Sequence, residues 1–185
     1  VLIITLFAFF GCGDDESSSV NFKEFSPNEE VKLVDVSGKE LTLVRKDRGF
    51  AIKNDENKVL MIDIFGTFCP PCQKEAAELT KYQLENKDKF TLVGLTHFEN
   101  VTNEYVLHEF MQKFNAYYFI TNDQKINDRL AEQIVRDIEY KHEIALPFKV
   151  VIKNGEYQIL TDVDSGQYGV KYYLGGCLLY TSDAA

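Results

Sequence analysis

Tryptophan is missing from this 185-residue chain, and cysteine and proline occur only four times each. So few prolines, with 11 glycines and no internal repeat, rule out collagen-like and low-complexity chains, and 45% hydrophobic residues rule out a disordered one. Basic residues are scarce as well: 20 Lys and Arg stand against 29 Asp and Glu, for a net charge of −9, and they form no cluster. A chain of that sign has nothing to lay along a phosphate backbone, so no nucleic-acid partner is expected. The lack of tryptophan does not starve the interior. With 14 Phe and 10 Tyr there is ample bulky volume for one compact domain with a real core.

What is present first is a polarity contrast at the start. Val1 to Phe10 reads VLIITLFAFF, uncharged, of signal-peptide length and too short for a membrane span of about 20 residues. Residues 1–11 are therefore expected to be an incomplete export signal. Its end, Phe9-Phe10-Gly11-Cys12, resembles a bacterial lipobox, which makes Cys12 the expected lipidation site and membrane anchor. Residues 12–30, with Asp-Asp-Glu-Ser-Ser-Ser, are then expected to be the lipidated cysteine and a polar tether. At the other end, Cys177 to Ala185 (CLLYTSDAA) breaks the preceding periodicity and reads like translated transposase-adapter DNA, so residues 177–185 are set aside. That leaves residues 31–176 as the domain, truncated at its C-terminal side, and Cys69 and Cys72 as the cysteines with chemistry to explain.

Along the domain, Val31–Val36 and Leu41–Val44 flank Ser37-Gly38-Lys39 as a hairpin. VLMIDIF, residues 59–65, is apolar enough for a central strand covered on both faces, interrupted only by Asp63. A helix is expected after Pro70-Pro71, running from Cys72 to Leu84 without Gly or Pro. Phe90–Leu95 is a second buried strand. Leu107, Phe110, Met111 and Phe114 mark one helix face, and Ile126, Leu130, Ile134 and Ile138 another. Tyr117–Thr121 is a short strand or connector. Phe148–Ile152 and Tyr157–Thr161 bracket Asn154-Gly155, a strong hairpin signal. Strands separated by helices imply parallel crossovers, and the closing hairpin makes the sheet mixed.

The C-x-x-C pair sits where the central strand gives way to a helix. Thiol-disulfide exchange needs a thiolate, and the unpaired N–H groups and dipole of a helix N-terminus favour one at Cys69. Cys72 returns by most of a turn, within disulfide reach, so Cys69 attacks and Cys72 resolves. A zinc half-site and a purely structural bridge remain as other readings. Neither is favoured, since His97, His108 and His142 have no paired spacing and so short a loop adds little stability. Pro71 has no N–H, so the only backbone donor left for the Cys69 sulfur is Cys72, which favours a reducing pair and hence a reductant or isomerase. Asp63, six residues before Cys69 in an apolar strand, has reason to hold its proton and could take one from Cys72. Glu75 shares a helix face with Cys72.

This order of elements, with CPPC between strand and helix, resembles the thioredoxin superfamily. VDVSGKELTL and KVLMIDIFGTFCPPCQKEAAEL are similar to the TlpA-type exported, membrane-tethered members. The resemblance implies an α/β thioredoxin-like fold: a mixed central sheet flanked by helices, with an N-terminal β-hairpin extension. It implies a thiol-disulfide oxidoreductase for exported proteins, needing no cofactor beyond a redox-active Cys69–Cys72 disulfide, with cytochrome c maturation among the fitting processes. Asp63 takes the place of thioredoxin's buried acid, and Glu75 that of an acidic residue that tunes the cysteines. Pro147 matches the cis-proline whose loop, with Leu146, pairs with a client peptide. Phe68 replaces the usual Trp and, with Pro70, forms a rim for partners. Also implied are a membrane reductant of the DsbD or CcdA type, a lipid anchor and a bacterial periplasmic location. Two other functions stay open at this stage: a peroxiredoxin-like peroxide reductase, and a non-enzymatic lipoprotein binding module.

Overall fold

The computed structural model describes residues 22–162 and 166–175. The export signal, Cys12 and the set-aside residues 177–185 lie outside the described residues. The hairpin forms as its alternation demands: β1 (Glu30–Val34) runs antiparallel to β2 (Glu40–Lys46), Val31 opposite Leu43 and Leu33 opposite Leu41. Gly38 supplies the positive φ of 91° that its turn requires. A third strand, β3 (Gly49–Ile52), was not legible because all of its residues are buried and none alternates. It pairs with β2, so the extension is a three-stranded sheet and not a simple hairpin.

The stretch expected as a tether through residue 30 needs correction from Phe22 onward. Phe25 is 5% exposed, edge-on to Phe50, beneath the Arg129 guanidinium at 3.6 Å, and its N–H donates to Gln133 Oε1 at 2.9 Å. One aromatic residue in a polar segment is enough to seat it in the core.

The central sheet is built on β4 (Val59–Phe65), which lies between β5 (Phe90–Thr96), parallel to it, and β7 (Phe148–Lys153), antiparallel. β6 (Phe119–Thr121) extends it beyond β5, and β8 (Glu156–Tyr157) and β11 (Tyr173–Leu174) pair with β7. The two faces of β4 part company as a strand's must. Leu60, Ile62 and Ile64 join Leu130, Ala131 and Ile134 of α3 (Gln124–Asp137) and Leu33, Leu43 and Phe50 of the extension. Met61 and Phe65 face the other way, onto Ala76 and Leu79 of α1 (Pro70–Glu85) and Phe110. Asp63 and its cross-strand partner Lys149 belong to this second face.

Two sequence expectations change. The stripe through Leu107 and Phe114 is helical, but the α-helical turn α2 (Asn103–Tyr105) gives way to another form before α-helical geometry returns at Lys113 and Phe114. Val106–Gln112 is a π-helix, continued by the Ala116 N–H donating to the Met111 carbonyl. Only Val106 and Phe110 of it are fully buried. The closing hairpin turns at Asn154 and Gly155, with φ of 53° and 77°, as the Asn-Gly signal requires, but its second strand stops at Tyr157. Ile159 is 71% exposed, and β9 (Leu160–Asp162) pairs with β10 (Gln167–Val170) in a separate ribbon.

Candidate functional site: a dithiol at a helix N-terminus

β4 delivers the chain to Gly66-Thr67-Phe68-Cys69 at the C-terminal end of this interior strand. The Cys69 N–H donates to the Gly66 carbonyl at 3.1 Å, closing a turn. Glu99, in the loop after β5, fastens this turn from outside: its carboxylate accepts from the Thr67 N–H at 2.8 Å and from the Thr67 hydroxyl. Gln73 reaches back to the Thr67 carbonyl at 2.7 Å. Glu99 was invisible in the sequence, being a loop carboxylate whose partner is 32 residues away.

Cys69 is the N-cap of α1, in extended conformation, and Pro70 and Pro71 occupy its first two positions. The Cys69 sulfur accepts the Cys72 N–H at 3.4 Å. No acidic residue stands in the first turn to oppose the positive end of the helix dipole. Cys69 and Cys72 are disulfide-bonded, with Cα atoms 5.3 Å apart. Cys69 is 5% exposed and Cys72 2%, so both sulfurs are buried, Cys69 marginally the more open of the two. Phe68 beside it is 57% exposed, its ring folded over Gly66, where an added Cβ would come within 2.6 Å.

Between β4 and α1 lies a charge cluster that the sequence announced only in part. Asp63 is 1% exposed, Glu75 7% and Lys149 0%. Lys149 Nζ is 3.3 Å from Asp63 Oδ1 and 2.5 Å from Glu75 Oε1, and so bridges β4 and α1. Burial pushes the Asp63 carboxyl above its ordinary value, with the Lys149 charge and hydrogen bond opposing the shift. Tyr118, fully buried ahead of β6, has its hydroxyl raised well above its usual range by burial and then by the Asp63 and Glu75 charges. The structure buries both acids. Lys149 escaped notice because its strand, FKVVIK, also ends in Lys153 and so does not isolate it as a single charge.

Pro147 follows a cis peptide bond from Leu146, directly before β7. Leu146 is partly buried and packs against the apolar cluster that contains Cys69 and Cys72 as well as against the cluster on the other face of the sheet. Phe68, Cys69, Pro70, Cys72 and Glu75 follow one another along the start of α1, Asp63 is tied to Glu75 through Lys149, and Pro147 stands just before the strand that carries Lys149.

No protein-family model matches the chain, and no curated protein sequence matches it. Solved structures do. A disulfide-isomerase candidate from Bacteroides thetaiotaomicron superposes with a TM-score of 0.52 at 20% identity, over 83% of this chain and 80% of that one. StoA from Bacillus subtilis gives 0.51 at 16% identity, over 81% and 90%. A thioredoxin candidate from Neisseria meningitidis gives 0.51 at 17%, over 83% and 82%. The fold is thioredoxin-like.

Proposed function

We propose that the chain is a thiol-disulfide oxidoreductase that works on exported proteins through Cys69 and Cys72, as a reductant or isomerase. The observation that carries this reading is the placement of a paired dithiol at the N-terminus of α1, with one sulfur capping the helix. In the reduced state the Cys69 thiolate attacks a client disulfide and forms a mixed disulfide. Cys72 then attacks Cys69, closing the intramolecular bond and releasing the client thiol. Asp63, raised by burial, accepts the Cys72 proton, and Glu75 shares its surroundings. An extended client segment pairs with the backbone at Leu146 and packs on Phe68, Pro70 and Pro147.

Only one backbone N–H reaches the Cys69 sulfur, because Pro71 has none to give, and this supports a reducing pair. A reducing role outside the cytoplasm requires a supply of electrons, which a membrane protein of the DsbD or CcdA type would deliver. The apolar start and Cys12 support export and a lipid anchor on the periplasmic side, where apocytochrome c thiols are among the fitting clients.

The test is capture. Cys72→Ala should accumulate mixed disulfides with exported proteins, released by dithiothreitol, whereas Cys69→Ala should not. Equal and empty capture by both variants overturns the reading in favour of a binding module. Peroxide consumption that survives Cys72→Ser would instead point to a peroxide reductase.

A further inference from the structure

The apolar stripe of Leu107, Phe110, Met111 and Phe114 promised a helix packed along one face, yet only Val106 and Phe110 of Val106–Gln112 are fully buried. Leu107 and Met111 line a cleft of about 670 Å³, the size of a small-molecule site. The segment that carries them is the π-helix, a form that recurs at functional sites. The cleft lies at the end of the sheet opposite the dithiol: Lys58 stands just before β4 and Leu92 near the start of β5, whereas Cys69 follows the end of β4. Leu84 lines it from the last turn of α1 and Lys87 from just beyond. The 16 residues of α1 put about 24 Å between that end of the helix and the cysteines.

The walls are apolar and the rim is basic. Leu84 and Tyr117 are 61% and 55% exposed, although both line the same concave surface as Leu107 and Met111. Lys39, Lys58 and Lys87 set three cations around the cleft against one carboxylate, Asp35, in a chain whose net charge is −9. Asp35 is engaged in its own turn, where its Oδ1 accepts the Ser37 and Lys39 N–H groups at 2.9 and 2.8 Å. Lys58 pairs with Asp55 at 3.2 Å. Lys39 and Lys87 are exposed and form no ion pair among the described residues. A peptide has no strand to extend here, because the edge of β6 is taken by the Val36 N–H donating to the Ile120 carbonyl at 2.9 Å and by the bridge between Asp35 and Thr121.

We propose that this cleft binds a small anionic amphiphile, an apolar chain that ends in a single carboxylate. The chain lies along Leu84, Leu107, Met111 and Tyr117, and the carboxylate accepts from the Lys39 and Lys87 ammonium groups at the rim. Its charge brings the lining closer to neutrality. An uncharged or cationic amphiphile finds the same apolar walls and gains nothing from the lysines. The site stands apart from the cysteines and does not depend on the thiol-disulfide reading.

The test titrates the full-length protein with sodium dodecanoate, below the concentration at which it forms micelles, and in parallel with dodecyltrimethylammonium, by isothermal titration calorimetry. Dodecanoate should saturate a single site, and the cation should bind about tenfold more weakly or worse. Lys39→Gln with Lys87→Gln changes only exposed side chains; it should weaken dodecanoate by about tenfold or more and narrow its lead over the cation. Met111→Glu sets an anion against the bound chain and should abolish the binding of dodecanoate. Should Met111→Glu fail to fold by circular dichroism, the double lysine variant decides alone. No saturable binding of dodecanoate overturns the proposal, and so does equal binding of the two amphiphiles. Binding that the lysine variant leaves unaltered also overturns it, by placing the ligand elsewhere on the chain. An acidic peptide of alternating Glu and Leu that binds where dodecanoate does not would overturn it in favour of a peptide groove.

Discussion

At the scale of single residues, Asp63 links function to stability. Burial holds its carboxyl above the ordinary value, so the folded chain binds that proton more tightly than the unfolded chain does. Its contribution is therefore favourable at low pH and is lost as pH climbs from about 4, the unfolded aspartate range, through the folded value. Asp63→Asn should remove this slope and be more stable than the parent at neutral pH, by on the order of 1 kcal/mol. Lys149 keeps Glu75 as a partner in that variant, so no cation is stranded. Urea unfolding across pH checks this, and an Asp63→Asn protein less stable than the parent at neutral pH would contradict it. The acid could be read from sequence because a carboxylate amid VLMIDIF has no other good explanation. Lys149 could not, since FKVVIK carries lysines near both ends and resembles a strand that simply emerges into water. Its meaning exists only through the antiparallel register that sets it opposite Asp63.

At the scale of elements, α1 governs the reactivity of the dithiol. The sequence puts its start at Cys72, after Pro70-Pro71, and the structure begins it two residues earlier, with both prolines inside the first turn. Pro71→Ala returns an N–H to the end of the helix that the Cys69 sulfur caps. The thiolate should gain a donor and the reduced pair should become more stable. Equilibration with glutathione should then show a potential higher by about 30 mV, a tenfold change in the exchange constant. A potential unchanged or lower would mean that the N-terminal donors do not set it. The turn before α1 has a separate use. Gly66→Ala would drive a Cβ into the Phe68 ring, so that variant should raise KM for a protein client while leaving the rate of Cys69 with a small aryl disulfide unaltered. The π-helix Val106–Gln112 was beyond sequence reading: its apolar spacing satisfies an α-helix equally well, and only the bonding pattern distinguishes the two.

At the scale of the whole molecule, a buried ion pair adds to the apolar packing that joins the N-terminal sheet to the thioredoxin-like body. Arg45 of β2 pairs with Asp137 at the end of α3, both side chains under 10% exposed. Asp137 also accepts from the Tyr157 hydroxyl and from Gln133 Nε2, each at 2.9 Å. Arg45→Met should therefore destabilise the protein by about 3 kcal/mol, because it leaves the Asp137 carboxylate buried without its cation. Chemical denaturation measures this, and a loss within about 0.5 kcal/mol would show that the sheet is held by apolar packing alone. The succession of strands and helices was readable because each central element has a strong period. The three-stranded extension and the ribbon of β9 and β10 were not, since short strands take their pairing from partners distant in the chain.

The account stands or falls on Cys69 as a nucleophile. Alkylation of the reduced protein by iodoacetamide over a range of pH, with the adduct located by mass spectrometry, addresses it directly. Labelling should fall first on Cys69, with a midpoint below the ordinary thiol value of about 8.5, while Cys72 reacts slowly. Labelling that begins on Cys72, or that reaches Cys69 only at the pH of an ordinary thiol, would contradict it.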